Sequence, residues 1–210
     1  MVAVNNREIS FDLWGTLIVS NPEFKANQKI LVNKLDPTID VNKWEQYLKE
    51  VKAKFNFQVE REGIHCDRKE IYKEVFINQS EAEIDDFIQQ SDELFLKYPP
   101  LLKDKSFDII AYLKARDIQC YICSNTVLIY SNVLLPVVYN YFKIMAQYCH
   151  FSDVLGTSKP NMRMFDFPFK PDFHVGDNLI TDGSCINYDI NFYHINETQN
   201  FQTFLAHANL

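Results

Sequence analysis

Glycine is scarce in this chain: there are five residues among 210, where average usage would give about 15. They are Gly15, Gly63, Gly156, Gly176 and Gly183. A sequence with so few is expected to keep them where a Cβ is sterically intolerable, so their neighbourhoods are the first places to inspect. Other absences narrow the function. No apolar run approaches the about 18 residues of a membrane span, so no membrane partner is expected. No Lys/Arg-rich stretch exists and the formal net charge is -7, which argues against nucleic acid as a partner. The opening MVAVNNREIS lacks the long apolar segment of a signal peptide. The five cysteines, Cys66, Cys120, Cys123, Cys149 and Cys185, are an odd number and suggest no disulfide framework. The expectation is a cytoplasmic protein with reduced thiols. What remains, 47% hydrophobic and 23% charged residues, is the composition of a globular protein with an ordinary core.

Cys120 and Cys123 form a C-x-x-C pair within IQCYICSN. A redox pair needs a helix N-terminus to lower the pKa of its first thiol. This segment reads as a strand, which points the two side chains to opposite faces. Zinc would need a second pair at ligand spacing, and the sequence has none. Two core cysteines are the expectation.

The chain divides by periodicity. EISFDLW, residues 8 to 14, reads as a strand and runs into Gly15-Thr16. From about 22 to 98 the pattern is helical. Asp40 precedes a segment in which Trp44, Tyr47, Leu48, Val51 and Phe55 recur at helical spacing. Asp67 with Glu70, and Ser80 with Glu83, have the form of capping boxes. Pro99-Pro100 ends the run. Strand and helix then alternate: a helix over 106–116, a strand over 118–123, a helix over 127–140 containing Pro136, and a strand near 144–148. A short helix from Asn161 and strands over 173–176 and 190–195 follow. Alternation of this kind predicts an α/β fold, a Rossmann-like parallel sheet flanked by helices. The expected domains are an α/β core of residues 1–18 and 100–210, with an all-helical cap, 19–99, inserted after the first strand.

Open parallel sheets bind ligands beyond the carboxyl ends of their strands. There the sequence places Asp12-Leu13-Trp14-Gly15-Thr16, Ser124-Asn125-Thr126, the segment Gly156 to Pro160 with Lys159, and Gly176-Asp177 through Asp182-Gly183. The polar set is suited to phosphoryl transfer. Asp12 is the candidate nucleophile for a covalent intermediate that water cleaves. Asp177 with Asp182 is the candidate site for Mg²⁺, a hard ion that takes carboxylate and phosphate oxygens. Lys159 and the Ser124 hydroxyl would stabilise charge on the transferred group. Gly15 would expose backbone N–H groups to the same oxygens, and Thr16 and Asn125 complete the expected substrate contacts.

In their order, FDLWGTL, SNT, the Lys159-Pro160 segment and GDNLITD resemble the four motifs of the haloacid dehalogenase (HAD) superfamily. The helical insertion after the first motif is similar to that family's C1 cap, which closes over the site. The resemblance implies a Rossmann-like core, Mg²⁺ dependence in most members, and hydrolysis of a small phosphorylated substrate through an aspartyl intermediate. In the family's phosphatases the second residue after the nucleophile is an Asp that serves as general acid and base. Here it is Trp14, whose indole cannot protonate a leaving alkoxide, although its backbone carbonyl could still ligate a metal. General acid catalysis contributes about 10²–10⁴-fold. The family's 2-haloacid dehalogenases also carry an aromatic residue there and need no metal. The acidic pair in the fourth motif argues instead for a metal-assisted phosphatase or phosphotransferase that favours good leaving groups. A carbon–halogen hydrolase and a non-catalytic binding protein are the alternatives. His65 and Glu62, beside Gly63 in a cap turn, are candidate replacement acids; His150, His174, His194 and His207 receive no role.

Overall fold

The computed structural model describes residues 7–196, 198 and 200–210. A five-stranded sheet in the order β5-β4-β1-β6-β7 organises it. The strands are β1 (Glu8–Phe11), β4 (Gln119–Ser124), β5 (Cys149–Phe151), β6 (Phe173–Gly176) and β7 (Asn191–His194), with every pairing parallel. Phe11 lies opposite Ile122 on one side and Val175 on the other. That register brings the residues following β1, β4 and β6 to one edge.

Alternation across the sheet sorts its side chains. Ile9, Phe11, Cys120 and Ile122 face a core built with α5 (Ser106–Lys114), α6 (Ser131–Phe142) and α8 (Phe201–His207). Tyr121 and Cys123 face a second cluster containing Phe165, Phe167 and Ile190. The two cysteines of the C-x-x-C pair therefore occupy opposite faces, and all five cysteines are free. This second face is covered by short 3-10 turns, Met162–Met164 and Gly183–Tyr188.

Between residues 19 and 99 stand four helices: α1 (Pro22–Leu35), α2 (Trp44–Glu60), α3 (Arg68–Val75) and α4 (Glu81–Lys97). Ser80 and Glu83 form a complete capping box. Asp67 caps α3, whereas Glu70 turns to Lys73 at 3.1 Å, so the reciprocal half is missing. Asp40 closes a turn through Asn42 N–H, and α2 begins only at Trp44. Trp44, Val51, Ile71, Tyr72, Phe76 and Phe87 form the helices' own apolar core. Two antiparallel strands, β2 (Ile18–Val19) and β3 (Leu101–Leu102), pair where the chain leaves and re-enters the α/β part. We place the cap boundaries at this neck.

Several boundaries differ from the sequence reading. The strand expected near 144–148 is a 3-10 turn, Ala146–Tyr148, and the strand follows it as β5. The helix expected at 127 starts at Ser131, because the Asp153 carboxylate accepts from both Ser131 N–H (3.1 Å) and its hydroxyl (2.6 Å). Pro136 lies inside that helix as expected, and the helix runs on to Phe142. The four-residue helix α7 (Ser152–Leu155) and α8 were not anticipated. Among the described residues no helix is long and apolar enough to cross a membrane.

Candidate active site

The strand ends converge on Lys159. This buried ammonium donates to Asp12 Oδ1 at 2.7 Å, to the Cys123 carbonyl at 2.8 Å, and to Asp182 Oδ1. An ammonium has three N–H donors, so all are engaged. The Lys159 backbone is fixed as firmly: its N–H donates to Asn125 Oδ1 at 2.7 Å, and its carbonyl accepts from Asn125 Nδ2 at 3.1 Å. Asn125, expected to touch substrate, commits its amide to holding Lys159.

Three carboxylates surround this cation. Asp12, Asp177 and Asp182 each offer an oxygen within 4.8 Å of the others. Asp12 and Asp182 are buried, and Asp177 is exposed. Asp182 accepts from Lys159 and His174 through Oδ1, and from Asn178 N–H at 3.0 Å through Oδ2. It is a bridge that orients Lys159 rather than an N-cap, since its side chain caps nothing. Two glycines make room. A Cβ on Gly15 would sit 2.1 Å from Asp177 Oδ2, and one on Gly176 would sit 2.3 Å from Asp182 Oδ2.

Burial, reinforced by the Asp182 and Asp177 charges, pushes the Asp12 carboxyl up to about 7, although Lys159 opposes the shift. Asp177, though its residue surface is exposed, is raised by partial desolvation of its carboxyl in the cleft and by the Asp182 charge. Burial works against the charged form of Asp182, but Lys159 and His174 outweigh it and hold this carboxyl well below its usual range. Lys159 is held charged by Asp12 and Asp182 against its own burial. Three carboxylates facing one paired ammonium leave a surplus of negative charge. Hard oxygen donors with surplus charge fit a divalent cation such as Mg²⁺. Asp12, Asp177 and Asp182 could each offer it an oxygen, Asp182 while already accepting hydrogen bonds at both of its own. The Trp14 carbonyl is left free by the turn, which closes through Gly15 N–H to Ile18 at 2.9 Å and through Leu17 and Ile18 N–H to Leu13.

Ser124 ends β4 in the same cleft, and its buried hydroxyl has no hydrogen-bond partner among the described residues. A buried donor without a partner costs about 1–3 kcal/mol, so this one marks a place for a ligand oxygen. Gly15 N–H, expected to face substrate, is used by Ile18, and the Gly15 carbonyl accepts from Lys103. Thr16 is fully buried, with its own hydroxyl unpartnered. Gly156 and Gly183 have no such close approach. Gly63 does: its carbonyl accepts from Ser158 N–H and the Thr157 hydroxyl, tying the cap to the Lys159 loop.

The cap lines the other side of the cleft with Lys52, Phe55, Asn56, Val59 and Glu60. Sequence reasoning missed them. The signal was the four-residue spacing of Lys52, Asn56 and Glu60, which puts them on one face of α2. His65 is instead held between Ser152 Oγ (3.1 Å) and Tyr130 Oη (3.3 Å), where cap meets core. Glu62 is exposed on its turn. His174, given no role, is fully buried between Ser10 Oγ (2.8 Å) and Asp182. Burial lowers its pKa and keeps it neutral, so it steadies the bridge. Trp14 packs on Phe95 of α4, with centroids 6.1 Å apart, at the mouth of the cleft.

No family model and no curated protein matches the chain. Solved structures do. One is described as the HAD-hydrolase YfnB from Bacillus subtilis bound to magnesium, with 18% identity and a TM-score of 0.71 over 98% of this chain and 99% of that one. A HAD phosphatase from Thermococcus onnurineus has 12% identity and a TM-score of 0.64, with 96% and 97% covered. An L-2-haloacid dehalogenase from Xanthobacter autotrophicus has 13% identity and a TM-score of 0.56, with 90% and 77% covered. Sheet order, inserted helices and these likenesses agree: the chain has the haloacid dehalogenase fold.

Proposed function

We propose that the chain is a Mg²⁺-dependent hydrolase, a phosphatase or phosphotransferase of a small phosphorylated metabolite, working through an aspartyl-phosphate at Asp12. The observation that carries this reading is the cluster of Asp12, Asp177 and Asp182 around Lys159, with the unpartnered Ser124 hydroxyl beside it. An Asp12 carboxylate oxygen attacks phosphorus, and the bond from phosphorus to the leaving oxygen breaks. Water then hydrolyses the acyl phosphate, restoring Asp12 and releasing phosphate. Asp12, Asp177 and the Trp14 carbonyl would hold the metal, and Asp182 would stand behind Lys159. Bound there, Mg²⁺ supplies the positive charge that lets an ionised Asp12 meet a phosphate dianion. Lys159 orients Asp12 and works against the burial that raises its carboxyl, and Ser124 donates to a phosphoryl oxygen. With Trp14 in place of an acidic residue, acyl and aryl phosphates are the favoured substrates. A carbon–halogen substrate bearing its own carboxylate fits poorly against three carboxylates and one paired lysine.

The test is turnover of acetyl phosphate and aryl phosphates with Mg²⁺ and with a chelator. Wild type should act only with the metal, and Asp12→Asn should be inactive. Wild type that turns over no phosphate ester with Mg²⁺ sinks the reading. Ser124→Ala supplies a second check, because it removes a hydroxyl that stabilises nothing in the free protein. Its stability should be unchanged or higher, while kcat/KM falls about 10²-fold.

A further inference from the structure

The cleft over Asp12 does not end at the cap. It opens into a groove of about 570 Å³ that shares Trp14, Lys52, Asn56, Glu60, Asn125 and Val127 with it. The groove is apolar along one side, through Phe24, Trp44, Leu48 and Leu128. Its charges are unevenly matched. Lys25 is neutralised by Glu45 at 2.7 Å. Lys52, half-buried where cleft and groove join, has no ion pair or hydrogen bond among the described residues. Burial lowers its pKa, with no neighbouring charge opposing that. Lys49 stands one turn earlier on α2, exposed and equally unpaired among the described residues. An unpaired ammonium held partly out of water pays a desolvation cost that an anion would relieve. Lys159 cannot serve that anion, since its three N–H groups are taken.

We propose that the groove receives the leaving group of the substrate, and that this leaving group is an aromatic or otherwise planar apolar body carrying a second anionic group that pairs with Lys52. The inference rests on the phosphatase reading and narrows it to one substrate class. The phosphoryl group meets Asp12 and Ser124, the ring lies along Trp14, and its anionic group pairs with Lys52 where cleft and groove join. Aryl leaving groups are also those that least need the missing acid, so cap and core converge on the same chemistry.

Three substrates test this: 4-(carboxymethyl)phenyl phosphate, its uncharged match 4-ethylphenyl phosphate, and acetyl phosphate. Wild type with Mg²⁺ should prefer the carboxylated ester over its match by about tenfold or more in kcat/KM, through KM. Lys52→Ala should erase that preference by raising KM with kcat little changed, Lys52→Glu should reverse it, and acetyl phosphate should lose less in kcat/KM than the carboxylated ester. Binding is read separately. The chain's two tryptophans, Trp14 and Trp44, both line the groove, so their fluorescence reports its occupancy. 4-Hydroxyphenylacetate should perturb it in wild type more than 4-ethylphenol does, and Lys52→Ala should abolish the difference. Turnover without discrimination, or an equal loss on all three substrates in Lys52→Ala, overturns this inference and spares the phosphatase reading. Discriminating binding without any turnover does the reverse.

Discussion

The two walls of the cleft are built on opposite principles. On the core side every charge except the exposed Asp177 has a fixed partner: Lys159 is saturated, Asp182 is engaged at both oxygens, and Asn125 locks the loop between them. On the cap side Lys52 has no partner among the described residues and is only half-buried, although ion pairs such as Lys54–Glu74, Arg68–Asp92 and Lys69–Asp85 satisfy other helix surfaces of the cap. Preorganised charge is what a reaction step needs, because the groups then pay no reorganisation as charge develops. An unsatisfied charge is what selection of a partner needs, because it discriminates by what it lacks. On the proposed function, the core wall serves the chemistry and the cap wall the choice of substrate.

The sharpest way to break this contrast is at Asp12. Asp12→Asn should lower kcat/KM by about 10³-fold or more, since the nucleophile itself is lost; steady-state assays with Mg²⁺ measure it. Next is Lys159→Met, which leaves Asp12 and Asp182 buried without their cation. Denaturant melts should show a loss of about 3–5 kcal/mol, whereas Lys52→Ala on the opposite wall should stay within about 0.5 kcal/mol. Equal losses at the two lysines would erase the distinction between the walls. Trp14→Asp restores a carboxyl at the position of the missing acid. It should raise kcat about tenfold or more for alkyl phosphates, whose leaving groups need a proton, and change acetyl phosphate hydrolysis little.

The smallest effect concerns the seam between cap and core. Burial lowers the His65 pKa, so its neutral form is the one that fits between Ser152 and Tyr130. A folded pKa below the unfolded value near 6.5 means the unfolded chain binds the extra proton. Stability from this residue is present above about pH 6.5 and is lost as pH falls through the lower folded value. His174 and His150 are shifted the same way by burial. These three histidines should therefore lower the melting temperature as pH falls below about 6.5, against the opposite contribution of Asp12, whose raised carboxyl binds its proton more tightly in the folded chain. His65→Gln should flatten part of that slope without moving kcat for acetyl phosphate.

Much of the α/β part was legible because its signals are local. The strand ends with Asp12, Ser124 and Asp177 stand out as polar residues directly after apolar runs, and the register of β1 with β4 and β6 then brings them together. The Ser80-Glu83 box was readable for the same reason. The neck strands were not, because two residues are too few for alternation to show. Nor was the start of α6, which a carboxylate 22 residues away decides. His174 went unrecognised because its partners, Ser10 and Asp182, adjoin it only once β1 and β6 pair.

What the sequence determined by itself was the set of groups on offer: a carboxylate, a cation, a hydroxyl and an acidic pair at strand ends, with Trp14 two residues after the first carboxylate. The glycine shortage already pointed to Gly15 and Gly176, where a side chain would collide with Asp177 and Asp182. Only the tertiary structure decided how those groups divide the work. Lys159 has three donors, and three acceptors from different segments saturate them. That count cannot be read from spacing. It ties Lys159 to Asp12 and Asp182, and it leaves Lys52, one wall away on α2, as a half-buried ammonium with no partner among the described residues.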